Sequence, residues 1–325
     1  MNKYKSICCQ LFLCVVGFLV VVLDTAAQLY PTRPIRILVG SAPGGGADFV
    51  ARILAPKFTD YMGQSITVDN RPGANGALAS DLLARAAADG YTIKVNTTGD
   101  TINPSLMKLS FDFPKDFSAI ALVAESQNML VVHPSFPVRD IKSLIALSKK
   151  NNASIAYGSQ GVGSSGHLSG ELFQYMTGVK WVHVPYKGGA PALIDLVGGQ
   201  ISLSFGNIPT VIQQVRVGKL IAVAVTGEKR TSAAPEIPTV AEGGVKGFAV
   251  SNWFGLSAPA RTPSDILHRL YQETARALKS SEVQQGLKKS GAEPAEMSSE
   301  QYAQYMQAEF TKWAKVIKAA GIKGE

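Results

Sequence analysis

The stretch "SAPGGGAD", Ser41 to Asp48, lies between a strand-like run, "IRILVG" (35–40), and a helix-like run, "FVARILAPKF" (49–58). Three consecutive glycines lose much backbone entropy on folding, so a role for bare peptide is expected there. A helix N-terminus leaves N–H groups unpaired and carries a partial positive charge, which favours an anion. The stretch therefore predicts a strand–loop–helix unit whose loop binds an anion.

Two further loops have the same character. The loop "NRPGANGA" (70–77) follows "SITVD" and precedes "LASDLLARAAA", and the loop "GSQGVGSSGH" (158–167) precedes "LSGELFQYM". In an open α/β sheet such loops line the crevice at the carboxyl ends of the strands. We therefore expect the three loops to lie around one ligand-binding crevice.

The remaining chain alternates short apolar runs with amphipathic stretches, which predicts an α/β fold. The predicted strands are "IRILVG", "SITVDN", "YTIKVN", "SAIALVA", "NMLVVHP", "ASIAYGS", "WVHVPY", "ISLSFG" and "LIAVAVTG". One helix is predicted to start with Thr262 as N-cap and Pro263 as its first residue. Another is predicted to start at a capping box, "SSEQ" (298–301). Its core-facing stripe is predicted to be Tyr302, Met306, Phe310, Trp313 and Ile317.

Residues 1–27 have the pattern of a bacterial secretory signal peptide. Lys3 and Lys5 precede an apolar run (7–23), and the small residues Thr25 and Ala27 suit cleavage after Ala27. The apolar run is near the lower limit for a membrane span, so a permanent anchor is the alternative. The pattern predicts secretion to the periplasm.

Composition excludes several classes of function. All three cysteines lie within the leader, so the mature chain has neither disulfides nor cysteine-ligated metal. Removing Lys3, Lys5 and Asp24 changes the net charge from +8 to +7 (8 − 2 + 1), without a long basic run, so no nucleic-acid partner is expected. The four histidines have no metal-ligand spacing, and no metal is expected.

The sequence also predicts no cofactor. No Gly-Lys-Ser/Thr follows the first loop, which excludes a P-loop. Gly161, Gly163 and Gly166 match the dinucleotide fingerprint, but the next strand ends at Tyr186 and Lys187 where an acidic residue is required.

Catalytic patterns are sparse. There is no G-x-S-x-G motif, although Ser164, Ser165 and His167 are close together, so a secreted hydrolase of a small ester or amide is the alternative function. Backbone donors without a catalytic group indicate binding without turnover. A carboxylate satisfies such donors well, because ionised oxygens form the stronger hydrogen bonds.

Several ordered motifs resemble one family from Tyr30 to the C-terminus. They are "YPTRPIRILVGSAPGGGADFVARILA", "VDNRPGANGALAS", "DGYTI", "GSQGVGSSGHLSGELF", "HVPYKGGAPALIDLVGGQI", "IPTVAEGG" and "WFGLSAPARTP". The chain resembles the substrate-binding proteins of tripartite tricarboxylate transporters, also called Bug receptors. The resemblance implies a type II-like periplasmic binding protein with crossover strands between two lobes, 28–127 plus 249–325 and 128–248. It implies a monomer that binds a di- or tricarboxylate, an aromatic acid or an acidic amino acid, and that serves inner-membrane permease subunits or a sensor protein.

The resemblance also implies the binding residues, because loop amides of both lobes meet the ligand carboxylates in this family. The implied residues are Ala42, Pro43, Gly44, Gly45, Gly46, Asp48, Asn70, Asn75, Gly76, Ser159, Gly163, Ser164, Ser165, Tyr186, Lys187 and Asn207. For Asp48, helix capping is the alternative role. Where the family often has Asp after "GGQI", this chain has Ser202, a departure that disfavours amino-acid ligands.

Overall fold

The computed structural model describes residues 30–150 and 155–322, so the predicted signal peptide lies outside the described residues. The strands are β1 (Ile35–Val39), β2 (Ile66–Asn70), β3 (Thr92–Thr97), β4 (Phe117–Val132), β5 (Ala156–Ser159), β6 (Val182–Pro185), β7 (Leu203–Asn207), β8 (Ile221–Val225), β9 (Ser251–Pro259) and β10 (Ala292–Pro294). The helices are α1 (Gly46–Met62), α2 (Ala77–Ala84), α3 (Thr98–Leu106), α4 (Ile141–Lys150), α5 (Ser165–Thr177), α6 (Gly189–Val197), α7 (Ile208–Arg216), α8 (Ser264–Lys279), α9 (Ser281–Ser290) and α10 (Ser299–Ala320).

The strands form one curled, mixed sheet in the order β2-β1-β3-β9-β4-β7-β5-β6, with β8 and β10 also paired to β4. β1 is parallel to β2 and β3, and β5 is parallel to β6 and β7. β9 is antiparallel to both β3 and β4, so it joins the two parallel groups. The predicted α/β class is confirmed.

β4 is a single strand of 16 residues, so the prediction of two strands at 118–124 and 128–134 was wrong. Its polar middle, "ESQN" (125–128), continues in extended backbone because both neighbours supply partners. Phe117 to Gln127 pair with β9, and Asn128 to Val132 pair with β7. The strand thus passes from one parallel group to the other, while the predicted division into lobes at 127/128 and 248/249 stays a prediction.

β9 was absent from the predicted strands, although residues 253–259 belong to the motif "WFGLSAPARTP" (253–263). All its residues from Asn252 to Pro259 are buried, so the strand has no polar face and no alternating pattern. Its central position in the sheet accounts for this burial.

The long C-terminal helix packs against both groups of strands. Tyr302 and Met306 lie in a core with residues of β1, β9 and the first half of β4, whereas Trp313 and Ile317 lie in the core beside the second half of β4 and β7. Phe310 is only half-buried and contacts the first of these cores. The predicted stripe is therefore core-facing and is shared between two cores.

One predicted helix start is confirmed and the other was wrong. Ser298 caps α10 in a capping box with Gln301. At α8, Pro263 occupies the N-cap and the helix begins at Ser264. The Thr262 hydroxyl donates instead to the carbonyl of Pro259 at 2.7 Å, which removes it from capping.

Within residues 30–150 and 155–322, no helix combines the length and the apolar character that a membrane crossing requires.

The first two glycine loops lie side by side because two glycines let their backbones touch. A Cβ built on Gly40 would lie 2.6 Å from the Cα of Gly76, which is a backbone atom without room to move. Gly76 has φ +87°, a left-handed conformation that glycine adopts without strain. This contact positions the loops that follow β1 and β2.

We expect Gly40→Ala to lower the free energy of unfolding by about 2–3 kcal/mol, because the added methyl group forces the two loops apart. Gly178→Ala is the control: Gly178 has φ +72° but open space around it, so only backbone strain of about 1 kcal/mol is added. Urea unfolding without ligand measures both. Equal losses would show that the Gly40–Gly76 contact is unimportant for stability.

Candidate functional site

A cavity of about 400 Å³ lies where the starts of several helices converge. Its wall includes the first residue of α1, α5 and α6 and the N-cap residue of α2, α3 and α7. These residues are Gly46, Ser165, Gly189, Gly76, Thr97 and Asn207. Each helix directs the positive end of its dipole toward the same space, so the cavity is suited to negative charge.

Some of the N–H groups at these helix starts remain available. Within the described residues, the backbone N–H groups of Gly46, Ala47 and Ser165 have no hydrogen-bond partner, and all three residues line the cavity. No aspartate or glutamate of the described chain lines it, whereas Lys94 and Lys187 do. The wall therefore has an excess of donors.

The glycines of the first loop have three different roles. Gly44 has φ +84°, and its N–H donates to Asp48 Oδ2 at 2.9 Å. Gly45 is the N-cap of α1 with an ordinary φ of −76°. A Cβ on Gly46 would lie 2.9 Å from Cζ of Phe254, so Gly46 is bare because the Phe254 ring lies against it.

The Asp48 side chain forms hydrogen bonds with the loops and does not line the cavity. Its carboxylate accepts from Asn70 Nδ2 at 2.9 Å and from Arg52 Nε at 3.0 Å, besides Gly44. Burial alone would raise the pKa of Asp48, but these hydrogen bonds outweigh it and hold the pKa below its usual value. The ionised Asp48 thus holds the first loop against Asn70 of the second.

The second loop is fixed by a pair of asparagines. Asn75 has φ +48°, a left-handed conformation that asparagine tolerates. Its Nδ2 donates to Asn103 Oδ1 at 3.0 Å, and Asn103 Nδ2 donates back to the Asn75 carbonyl at 3.2 Å. The loop is therefore anchored to α3 beside the cavity.

The third loop satisfies most of its own N–H groups. Gly161 N donates to Ser159 Oγ, Gly163 N to His167 Nδ1, and Gly166 N to Gln160 Oε1. Ser164 caps α5 by accepting from His167 N at 3.2 Å. Side chains of Ser159, Gln160 and His167 therefore occupy most of the N–H groups that were expected to be uncovered in this loop, and the role of the loop in binding stays a prediction.

The stacked imidazoles of His167 and His183 contact the third loop. The rings of His167 and His183 are 4.2 Å apart, and His183 Nε2 is 2.7 Å from Ser159 Oγ. Burial lowers the pKa of His167 to about 4, and burial with the neighbouring His167 lowers the pKa of His183 to about 4. Both rings are neutral at pH 7, and His167 Nδ1 can therefore accept from Gly163.

Tyr186 and Lys187 occupy the wall on the side of α6. The Tyr186 hydroxyl donates to Asp195 Oδ2 at 2.7 Å, and burial together with Asp195 raises the pKa of Tyr186 to about 12. Lys187 is exposed and forms no ion pair within the described residues. Tyr186 thus contributes its ring, and Lys187 contributes a free charge at the cavity mouth.

Several residues of the cavity wall were not predicted, because they lie on strands rather than in glycine loops. They are Lys94 and Val95 on β3 and Asn252 and Phe254 on β9. Lys94 is almost fully buried, with its Nζ 2.7 Å from Asp100 Oδ2, so its charge is already neutralised. A lysine inside the apolar run "YTIKVN" was the available signal for it.

The cavity wall includes some of the predicted binding residues and excludes others. Those that line it are Gly45, Gly46, Asn75, Gly76, Ser164, Ser165, Tyr186, Lys187 and Asn207. Those that lie beside or behind it are Ala42, Pro43, Gly44, Asp48, Asn70, Ser159 and Gly163. Ser202, at the opposite end of β7 from Asn207, also lies outside the wall.

Loops from the two sides of the cavity touch each other. A Cβ on Gly188 would lie 3.1 Å from the Ala42 backbone N, and a Cβ on Gly44 would lie 3.5 Å from Cβ of Ala190. On the other flank, a Cβ on Gly163 would lie 3.2 Å from Asn75 Nδ2. Loops from the two sides therefore approach each other on both flanks of the cavity.

We expect acid to destabilise the protein between about pH 6.5 and pH 4. The unfolded histidines have pKa values near 6.5, whereas His167 and His183 have values of about 4 when folded. In this window the unfolded chain binds more protons, so the free energy of unfolding decreases as the pH falls. Urea midpoints at pH 7.0, 5.5 and 4.5 measure the effect.

The variant His183→Phe keeps an aromatic ring in the stack and should weaken this acid dependence. His268→Phe is the control, since His268 is exposed on α8 and should leave the dependence as in the wild type. An acid dependence that is the same in all three proteins would contradict the role of the stacked pair.

Comparisons with known proteins identify the family to which this chain is similar. A family model described as "Tripartite tricarboxylate transporter family receptor" matches residues 50–322. The periplasmic binding protein BugD is 34% identical with a TM-score of 0.88, over 91% of this chain and 100% of that one. A Rhodopseudomonas palustris protein solved with adipate is 36% identical with a TM-score of 0.88, over 91% and 100%. MatC from Rhodopseudomonas palustris, solved with malate, is 32% identical with a TM-score of 0.85, over 89% and 100%.

Proposed function

The chain belongs to the tripartite tricarboxylate transporter receptor family of periplasmic solute-binding proteins, and we propose that its cavity captures a small carboxylate through backbone amides. The observation that carries the proposal is the convergence of helix starts on a cavity without acidic side chains. Fixed N–H dipoles suit an ionised oxygen better than a neutral one. The resemblance predicted from the sequence is confirmed at the level of the family.

The cavity volume supports a ligand of metabolite size. About 400 Å³ is within the range of small-molecule sites, and its wall combines amide donors with the apolar side chains of Val95, Met107 and Phe254. Two relatives were solved with adipate and with malate, both small dicarboxylates. A short organic acid with an aliphatic body fits this combination.

Hydrolysis is disfavoured by the same side chains that suggested it. Ser164 Oγ accepts from the His167 backbone N, and His167 Nδ1 accepts from Gly163 N. Ser165 Oγ donates to Asn128 Oδ1 at 3.3 Å rather than to an imidazole. Among the described residues, neither hydroxyl has a base in position to remove its proton, so we propose a receptor that releases its ligand unchanged.

We further propose that the ligand is enclosed between the lobes 28–127 plus 249–325 and 128–248. Gly44 and Ala42 approach the α6 side of the cavity, and Asn75 approaches Gly163. Closure would bring both sets of amides onto one ligand, as in hinge closure generally. The closed monomer then delivers its bound ligand to permease subunits or binds to a sensor protein.

A melting screen with anionic and neutral compounds tests the proposal. At a hundredfold excess over the dissociation constant, a bound carboxylate should stabilise the protein by about 2.7 kcal/mol and raise the melting midpoint by several degrees. The panel pairs each acid, including succinate, adipate and malate, with its neutral amide. Stabilisation by the amides or by sugars, with none by the acids, would refute carboxylate capture.

Gly46→Pro should lower the affinity for a carboxylate at least about tenfold, because it deletes the Gly46 N–H while keeping α1. Proline suits the first position of a helix, and a charge-assisted hydrogen bond contributes about 1.5–3 kcal/mol. Gly46→Ala is the matched control, since it adds the same Cβ against Phe254 but keeps the N–H. Calorimetry compares the two variants.

We expect Lys187→Met to lower the affinity for a carboxylate less than Gly46→Pro does. Lys187 is exposed, so solvent and salt screen its charge. Equal affinities for the proline and alanine variants, with a large loss for Lys187→Met, would make Lys187 the principal anion contact.

A further inference from the structure

A largely buried side chain of the cavity wall presents a hydrogen-bond acceptor that a carboxylate cannot satisfy. Asn207 lines the cavity with 8% of its surface exposed, and its Oδ1 has no hydrogen-bond partner within the described residues. A carboxylate has only acceptor atoms, so it cannot pair with this oxygen. Among the groups of a bound acid, only a hydrogen-bond donor can pair with this oxygen.

The orientation of the Asn207 amide follows from a chain of directed hydrogen bonds. Ser169 Oγ donates its single proton to the Ser165 carbonyl at 2.7 Å, so it can only accept from Asn128 Nδ2, 3.1 Å away. This arrangement directs Asn128 Oδ1 toward Asn207. Asn207 Nδ2 donates to that oxygen at 2.7 Å, and Asn207 Oδ1 is left for the cavity.

A second chain directs the opposite group of another asparagine. The Trp253 backbone N donates to Thr98 Oγ1 at 3.3 Å, and Thr98 Oγ1 donates to Asn252 Oδ1 at 2.9 Å. Asn252 Nδ2 therefore remains as a donor, and Asn252 also lines the cavity. The wall presents one side-chain donor that suits a carboxylate and one side-chain acceptor that does not.

The unpaired acceptor lies beside the proposed carboxylate site. Asn207 Oδ1 is 3.7 Å from the position of a Cβ on Gly46, and hence within about 5 Å of the Gly46 Cα after one carbon–carbon bond is added. A carboxylate on the Gly46 N–H would place its own α-carbon near this oxygen. A donor attached to that carbon is in reach of Asn207.

We propose that the protein selects acids with a hydrogen-bond donor on the α-carbon, that is, 2-hydroxy or 2-amino acids, and that Asn207 is the residue that selects them. The proposal rests on the carboxylate-binding function proposed above. A site with a buried polar group discriminates strongly against an analogue that leaves this group unpaired. Because Ser202 lies outside the cavity wall, it provides no contact that decides between hydroxyl and ammonium.

Calorimetry with matched ligands tests the selection. The probes are malate and 2-hydroxyglutarate, aspartate and glutamate, the parents succinate and glutarate, and 2-fluorosuccinate, whose fluorine has nearly the size of a hydroxyl but cannot donate. We expect at least one hydroxy or amino acid to bind about tenfold or more tightly than its parent, and malate to exceed 2-fluorosuccinate if hydroxyl acids are the selected class. Comparison of the hydroxy acids with the amino acids shows whether a hydroxyl or an ammonium group is the preferred donor.

The variant Asn207→Leu, which has no acceptor, should bring the ratio of affinities between each substituted acid and its parent close to one. Gln213→Leu, an exposed position on the same helix, is the matched control and should keep the wild-type ratios. Circular dichroism confirms that both are folded. If Asn207→Leu does not fold, the wild-type ratios and the 2-fluorosuccinate comparison still decide for or against donor selection.

The outcomes separate this proposal from the general function. Wild-type protein that binds parent acids as tightly as their substituted partners refutes donor selection and leaves carboxylate capture intact. A preference that persists in Asn207→Leu refutes the assignment to Asn207. Absence of binding by every acid in the panel refutes carboxylate capture itself.

Discussion

The antiparallel insertion of β9 between β3 and β4 holds the rest of the structure in place. Without it, β2, β1 and β3 would form one sheet, and β4, β7, β5 and β6 would form another. Residues 252–259 of β9 are buried, so apolar packing on both of its faces reinforces the backbone pairing. The same strand contributes Asn252 and Phe254 to the cavity, so the strand that joins the two halves also forms part of the cavity wall.

In the function that we propose, anion recognition depends on peptide groups more than on side-chain charge. The buried lysine of the wall, Lys94, is already paired with Asp100, and Lys187 is exposed. Helix starts offer donors that are held rigidly and lose no side-chain entropy when a ligand binds. Amides of this kind recognise a carboxylate in general, whereas the fixed amides of Asn207 and Asn252 can discriminate among acids.

Features formed by residues close together in the sequence could be predicted from it, whereas contacts between distant residues could not. Glycine runs between strand-like and helix-like segments predicted the loops that contain Gly46, Asn75 and Ser165. Lys94 and Asn252 enter the cavity only because β3 and β9, about 160 residues apart in sequence, pair with each other. Asp48 and the amides of the third loop could not be assigned, because their roles depend on partners such as Asn70 and His167 that no spacing rule connects.

The late position of β9 in the chain has a consequence for biosynthesis. Its residues, 251–259, come after every other strand of the main sheet order, and α10 follows later still. Neither half can acquire its central neighbour while the ribosome is still making the first three quarters of the polypeptide. The sheet that joins the two halves can therefore be completed only after residues 251–259 have been synthesised.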